Sequence, residues 1–79
     1  MSTELYERVE KIFREMLTEE QFTAFGPEAT MDDVEGWDSL SFLNVVLELE
    51  GEFGVRIDGL DAANLVTVPN IIAYLSEHA

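Results

Sequence analysis

Hydrophobic residues near the beginning of the chain recur at steps of three and four, which is the spacing of one face of a helix. The members of this pattern are Leu5, Val9, Ile12, Phe13, Met16 and Leu17. Charged residues lie between them, and Ser2 or Thr3 has a side chain suited to an N-cap. The pattern predicts an amphipathic helix over residues 3–18.

A second helical pattern covers residues 39–53 and has two apolar sides. At ~100° per residue, one side is predicted to face the core. This side consists of Phe42, Val45, Val46, Leu49 and Phe53. The other side contains three leucines, and we expect Leu43 to join the core. For Leu40 and Leu47 two interpretations stay open: a wider core contact, or a half-exposed row that meets partners. Gly54 is suited to end the helix in the left-handed conformation.

The rest of the chain predicts two more helices and a long connection. A short helical turn is expected at 60–64, and Thr67 is a suitable N-cap for a last helix over 68–77. Residues 20–38 form the connection, and four apolar residues are expected to pin it to the core. These are Phe22, Phe25, Met31 and Val34. No strand pattern occurs, so the predicted fold class is all-α, with three main helices and a short one.

The composition is typical of one small folded domain, which we expect to span residues 1–79. The absence of cysteine excludes disulfides, thiolate nucleophiles and thiolate metal sites. No apolar run approaches the ~20 residues that cross a bilayer, and residues 1–20 are too charged for a signal peptide. We therefore expect a cytoplasmic protein without a membrane span.

The charge is strongly negative: 17 acidic residues against 4 basic ones give a net charge of −13. Such a field repels nucleic acid and attracts basic proteins. Charge alone favours the plainer interpretation, a solubilising surface, over a docking face for basic partners.

Ser39, at the start of the second predicted helix, is the strongest candidate for function. On residue type alone, Asp38 or Ser39 is simply the N-cap. The free N–H groups and dipole at a helix start also favour an anionic group, so an exposed serine oxygen there suits a phosphate ester. Asp33 and Glu35, with Asp38, offer oxygen ligands that could help a modifying enzyme hold Mg²⁺.

Catalytic and metal sites of the chain's own are not indicated. The single histidine, His78, lies next to the C-terminus, where a solvated residue is the better interpretation than a general base. Paired carboxylates are expected on solvated helix surfaces, and no calcium-loop motif is present. We therefore predict no catalytic residue, no metal site and no enzyme activity.

The run Gly36-Trp37-Asp38-Ser39-Leu40, followed by Val45-Val46-Leu47-Glu48-Leu49-Glu50 and Glu52-Phe53-Gly54-Val55, resembles the phosphopantetheine-attachment region of acyl carrier proteins. The resemblance covers nearly the whole chain and extends to its length and acidity. It implies an acyl-carrier-like four-helix bundle. It also implies that a separate phosphopantetheinyl transferase esterifies Ser39 with 4′-phosphopantetheine from coenzyme A. The thiol of that arm would then hold acyl groups as thioesters.

The resemblance further implies residues that partners recognise. Asp38 and Leu40 would contact the transferase, while Leu47, Glu50 and Ile57 match partner-contacting positions. The expected partners are acyl-loading and acyl-transferring enzymes with basic docking surfaces, and the carrier is expected to be a monomer.

Uncharged residues stand where fatty-acid carriers of this family usually place further acids. They are Ser41, Asn44, Gly51 and Gly59. This departure favours a specialised pathway, such as polyketide, hybrid peptide or surface-polymer assembly, over bulk fatty acid synthesis. The stretch Val68-Pro69-Asn70-Ile71-Ile72 is faintly similar to D-alanyl carriers, so an aminoacyl cargo is one alternative. A cofactor-free acidic adaptor module is another.

Overall fold

Five helices make up the described part of the chain, residues 3–78, in a computed structural model. They are α1 (Thr3–Met16), α2 (Glu19–Phe22), α3 (Ser39–Phe53), α4 (Gly59–Ala62) and α5 (Val68–His78). The all-α class and the four predicted helices are confirmed. The predicted cap at Ser2 or Thr3 involves side chains outside the described ones.

The first helix is shorter than predicted, and a separate helical turn follows it. Thr18 is the N-cap of α2: its Oγ1 accepts the N–H of Gln21 at 3.1 Å, and Gln21 Oε1 accepts the N–H of Thr18 at 3.0 Å. This reciprocal capping box satisfies two backbone donors and so ends α1 at Met16.

Aromatic residues fasten the long connection to the core, as predicted. The ring of Phe25 lies 4.6 Å from that of Phe13 on α1 and 5.4 Å from that of Phe22. Val34 is buried, and Met31 packs against the same cluster. Such ring pairs stabilise a packed core beyond the area they bury. The connection is therefore part of the core.

Backbone hydrogen bonds join the same connection to the start of α5. Met31 N–H donates to Val66 O at 2.8 Å, and Val68 N–H donates to Ala29 O at 2.9 Å. Thr67 Oγ1 accepts the N–H of Asn70 at 3.1 Å, which confirms its predicted capping role. The last helix is thus held from both its cap and the long connection.

The two apolar sides of α3 have different surroundings. Val45, Val46 and Leu49 are buried, and the two phenylalanines of the same side are half-buried against the core. The expectation that Leu43 joins the core is wrong, because its side chain is 60% exposed. Helix α1 meets α3 along the side of Val45. At ~100° per residue, that side lies about 160° around the helix from Leu43.

Candidate functional site

Asp38 is the N-cap of α3, and Ser39 is the first residue of the helix. The Asp38 Oδ1 atom accepts the N–H groups of Leu40 and Ser41, both at 3.1 Å. In return, Ser41 Oγ accepts the N–H of Asp38 at 2.9 Å. The capping role therefore falls on Asp38 with Ser41, and the side chain of Ser39 takes no part in it.

The same hydrogen bonds lower the pKa of the Asp38 carboxyl below its ordinary value. The N–H donor of Ser41 contributes most, and the Ser41 hydroxyl and the N–H of Leu40 add to it, against partial desolvation. Hydrogen bonds to the charged form stabilise that form. Asp38 is thus held as a carboxylate beside Ser39.

A tight turn before the helix depends on Gly36. Its φ of 95° lies in the left-handed region, and its carbonyl accepts the hydroxyl of Ser41 at 2.6 Å. A Cβ at this position would lie 2.7 Å from Gln21 Oε1. The backbone angle therefore favours glycine here, and a larger residue would also displace the Gln21 side chain from the capping box of α2.

Trp37 anchors the start of α3 to the core. Its side chain is 1% exposed, and its ring meets that of Phe13 edge-on at 4.7 Å. The indole Nε1 is buried without a hydrogen-bond partner among the described residues. The structure thus places Trp37 inside the core. It holds the adjacent Asp38 and Ser39 at a fixed position on the surface.

Ser39 and Ser41 lie two residues apart and differ in availability. Ser41 is half-buried, and its hydroxyl donates to Gly36 and accepts from Asp38. Ser39 is exposed, and its hydroxyl has no hydrogen-bond partner within residues 3–78. Of these two hydroxyls, only that of Ser39 is open to an approaching enzyme.

These surroundings fit a phosphodiester on Ser39, with one change from the sequence expectation. The N–H groups of Leu40 and Ser41, expected to face an anion, are already bonded to Asp38. A phosphate on the Ser39 oxygen would therefore lie outside a completed helix cap, in solvent, where the helix dipole still favours it. An arm attached at this atom would be free to move.

The other predicted recognition residues fall into two groups. Leu40 is 85% exposed and Leu47 is 55% exposed, and they share one side of α3 with Leu43. We call these three residues the leucine stripe. Glu50 is half-buried, and its Oε2 accepts the N–H of Ile57 at 2.7 Å. Ile57 itself is 7% exposed and belongs to the core.

Sequence reasoning missed one exposed apolar residue, Leu60, which is 85% exposed on α4. A four-residue helix is too short to show a periodic pattern. Its N-cap, Asp58, accepts the N–H of Asp61 at 3.0 Å, so the helix begins at Gly59 and ends at Ala62, slightly before the predicted 60–64.

No helix in the range 3–78 is long and apolar enough to cross a membrane. Within the same range, no group of three or more histidine, aspartate or glutamate side chains is arranged to hold a metal ion.

Comparison with known proteins assigns the chain to a class of protein. A family model described as a phosphopantetheine attachment site matches residues 7–75. The helical fold and this match define a carrier protein whose cofactor is 4′-phosphopantetheine.

A curated relative, an acyl carrier protein from Thermotoga maritima, is 36% identical over 74 residues, which cover 94% of this chain and 90% of that protein. The chain belongs to the acyl carrier protein family. It is therefore a carrier and not an enzyme. Carriers of this kind interact with phosphopantetheinyl transferases and with acyl-handling enzymes.

Proposed function

We propose that Ser39 is the residue that carries 4′-phosphopantetheine, and that the thiol of this arm holds acyl intermediates as thioesters for partner enzymes. The observation that supports this most is the contrast between two neighbouring serines. The hydroxyl of Ser39 is exposed and unpartnered in the described chain, whereas that of Ser41 is held by Gly36 and Asp38.

The arm supplies a thiol, which this cysteine-free chain lacks. The protein's own contribution is to present the attachment point. Trp37, buried against Phe13, fixes the segment, and Asp38 completes the helix cap next to the reacting oxygen. A flexible arm on a fixed point gives the cargo a high effective concentration at each partner in turn.

We also propose that Asp38, Leu40 and Leu47 contact the transferase and later partners directly, since all three are exposed around or beyond Ser39. The chain would act as one carrier domain over residues 1–79, as a monomer in the cytoplasm.

The cargo that we propose is an acyl group of a specialised pathway, such as polyketide, hybrid peptide or surface-polymer assembly. Support comes from the uncharged residues on or near the exposed part of α3 and α4. Asn44, Gly51 and Gly59 are exposed and carry no charge, and Ser41 is bonded internally. An aminoacyl cargo is the second candidate, favoured by the sequence at the start of α5. The mass of the group released from purified thioester-loaded carrier distinguishes the two.

The attachment itself is tested by incubating the protein with coenzyme A, Mg²⁺ and a phosphopantetheinyl transferase, followed by intact-mass measurement. We expect a mass gain of one arm in the wild type and in Ser41→Ala, and no gain in Ser39→Ala. A gain that persists in Ser39→Ala would contradict the proposal. No gain in the wild type with several active transferases would support the cofactor-free adaptor alternative.

A further inference from the structure

We propose that Glu50 is a positioning residue that fixes the connection between α3 and α4 from within the protein, and is not an ionic contact for partner enzymes. The proposal rests on the proposed function in one respect: partners that act at Ser39 are taken to approach along α3. Glu50 would then act on docking only through the location of the connection that it holds.

The central observation is the hydrogen bond from Ile57 N–H to Glu50 Oε2, at 2.7 Å. Its length is typical of a charge-assisted bond to a carboxylate. If the Glu50 side chain were removed, the Ile57 N–H would lose its acceptor. Because Ile57 is almost fully buried, water would not readily replace that acceptor. Leaving such a donor unsatisfied is unfavourable.

This bond acts on the short segment that connects α3 to α4. Residues 54–58 lead from α3 to α4, beginning with the left-handed Gly54 at φ 66°. Within the segment, Arg56 O accepts the Tyr74 hydroxyl at 3.1 Å, and the same hydroxyl lies 3.3 Å from Asp61 Oδ2 on α4. Glu50 from α3 and Tyr74 from α5 thus each bond to the backbone of this connection, in addition to the packing of Val55 and Ile57 against the core.

The other acids of α3 do not supply a charged docking row either. Glu52 is bonded to Arg8, with 3.0 Å between Oε2 and Nε, and its carbonyl accepts Arg8 Nη2 at 2.8 Å. Glu48 is exposed, but it lines a groove against α1, about 100° around the helix from Leu47. A partner that reaches the leucine stripe therefore meets apolar side chains.

Amide hydrogen exchange of the unmodified protein tests the structural half. In Glu50→Ala the hydrogen of the Ile57 amide should exchange about tenfold faster than in the wild type, since the amide loses its acceptor. Glu50→Gln keeps an acceptor oxygen without the charge and should stay within about threefold. Glu48→Ala and Glu48→Gln are matched controls, and they should leave the Ile57 amide unchanged. Equal exchange in Glu50→Ala and the wild type would overturn the proposal.

Transferase kinetics test the functional half, with an enzyme that modifies the wild-type chain. If Glu50 positions the connection, Glu50→Gln should keep kcat/KM within about twofold, while Glu50→Ala should lose about tenfold, through KM. An ionic contact would instead make Gln as damaging as Ala, although Ile57 stays protected in the Gln variant. That result would overturn the proposal, as would an unchanged kcat/KM in Glu50→Ala.

The two proposals fail in distinguishable ways. If no transferase modifies the wild type, the proposed function of Ser39 fails, and Ile57 exchange still decides whether Glu50 holds the connection. Circular dichroism shows whether Glu50→Ala folds. If it folds poorly, the kinetics of Glu50→Gln decide the functional half, because this variant keeps the acceptor oxygen and removes only the charge.

Discussion

The two apolar sides of α3 contain the same kinds of residue and have opposite surroundings. Leu49 is fully buried against the core, whereas Leu43, six residues earlier, is mostly exposed. The helix pattern identifies both sides equally well. The difference lies in what packs against them, because α1 meets α3 on the side of Val45 and leaves the leucine stripe uncovered. Hydrophobicity in a helix thus predicts an interface, which can lie within the protein or with a partner.

The largest effect that separates the two sides is on stability. Leu49→Ala should lower the free energy of unfolding by ~2–5 kcal/mol, because it removes buried contacts and leaves a cavity. Leu43→Ala, the same chemical change on the exposed side, should stay within ~0.5 kcal/mol of the wild type. Urea unfolding followed by circular dichroism measures both. Similar losses in the two variants would mean that the stripe is buried in solution.

A smaller effect on stability is expected at Asp38, the N-cap from which both sides of α3 begin. Asp38→Ala should destabilise the protein less than Leu49→Ala does, because it removes a helix cap and no core contact. Asp38→Asn should keep most of the stability at neutral pH, since asparagine also caps well. Urea unfolding at pH 7 compares them, and equal losses in Ala and Asn would argue against capping.

The same pair gives a pH dependence with a definite sign. The Asp38 pKa is lowered in the folded protein, so its contribution is present above the unfolded value of about 3.9 and is lost as pH falls through the folded value. The free energy of unfolding, measured from pH 6 to pH 2, should therefore fall less steeply in Asp38→Asn than in the wild type. Glu48→Gln provides a control for the charge change. Identical slopes in wild type and Asp38→Asn would contradict the assignment.

The smallest effect concerns charge and does not distinguish the two sides. A net charge of −13 on so small a protein is self-repulsive, and salt screens that repulsion. Raising sodium chloride from low to moderate concentration should raise the melting temperature by about 1–4 °C. Scanning calorimetry of the unmodified protein checks this. A flat or falling melting temperature would show that repulsion among the acidic side chains does not destabilise the fold.

The helices could be predicted because each has a long periodic pattern or a clear cap, as α3 has between Asp38 and Gly54. The short α2 was missed, although Thr18 and Gln21 have the spacing of a capping box. The apolar periodicity of α1 continues to Leu17 and masks that signal.

The candidate site was predictable in part. Ser39 was identified from its neighbours, but its availability depends on Ser41 bonding to Gly36, a contact that follows from the three-dimensional turn. The partnership of Glu50 with Ile57 spans seven residues across a helix end and has no sequence signature. The resemblance to acyl carrier proteins placed both residues among partner contacts, whereas the hydrogen bond supports the positioning role that we propose for Glu50.

Fragment-level mass spectrometry of protein treated with transferase and coenzyme A tests the central claim most directly, because it locates the modified atom's residue. The account predicts that the phosphopantetheine-bearing fragments contain Ser39 and that fragments separating it from Ser41 leave the latter unmodified. An arm found on Ser41 or Ser76, with Ser39 bare, would contradict it.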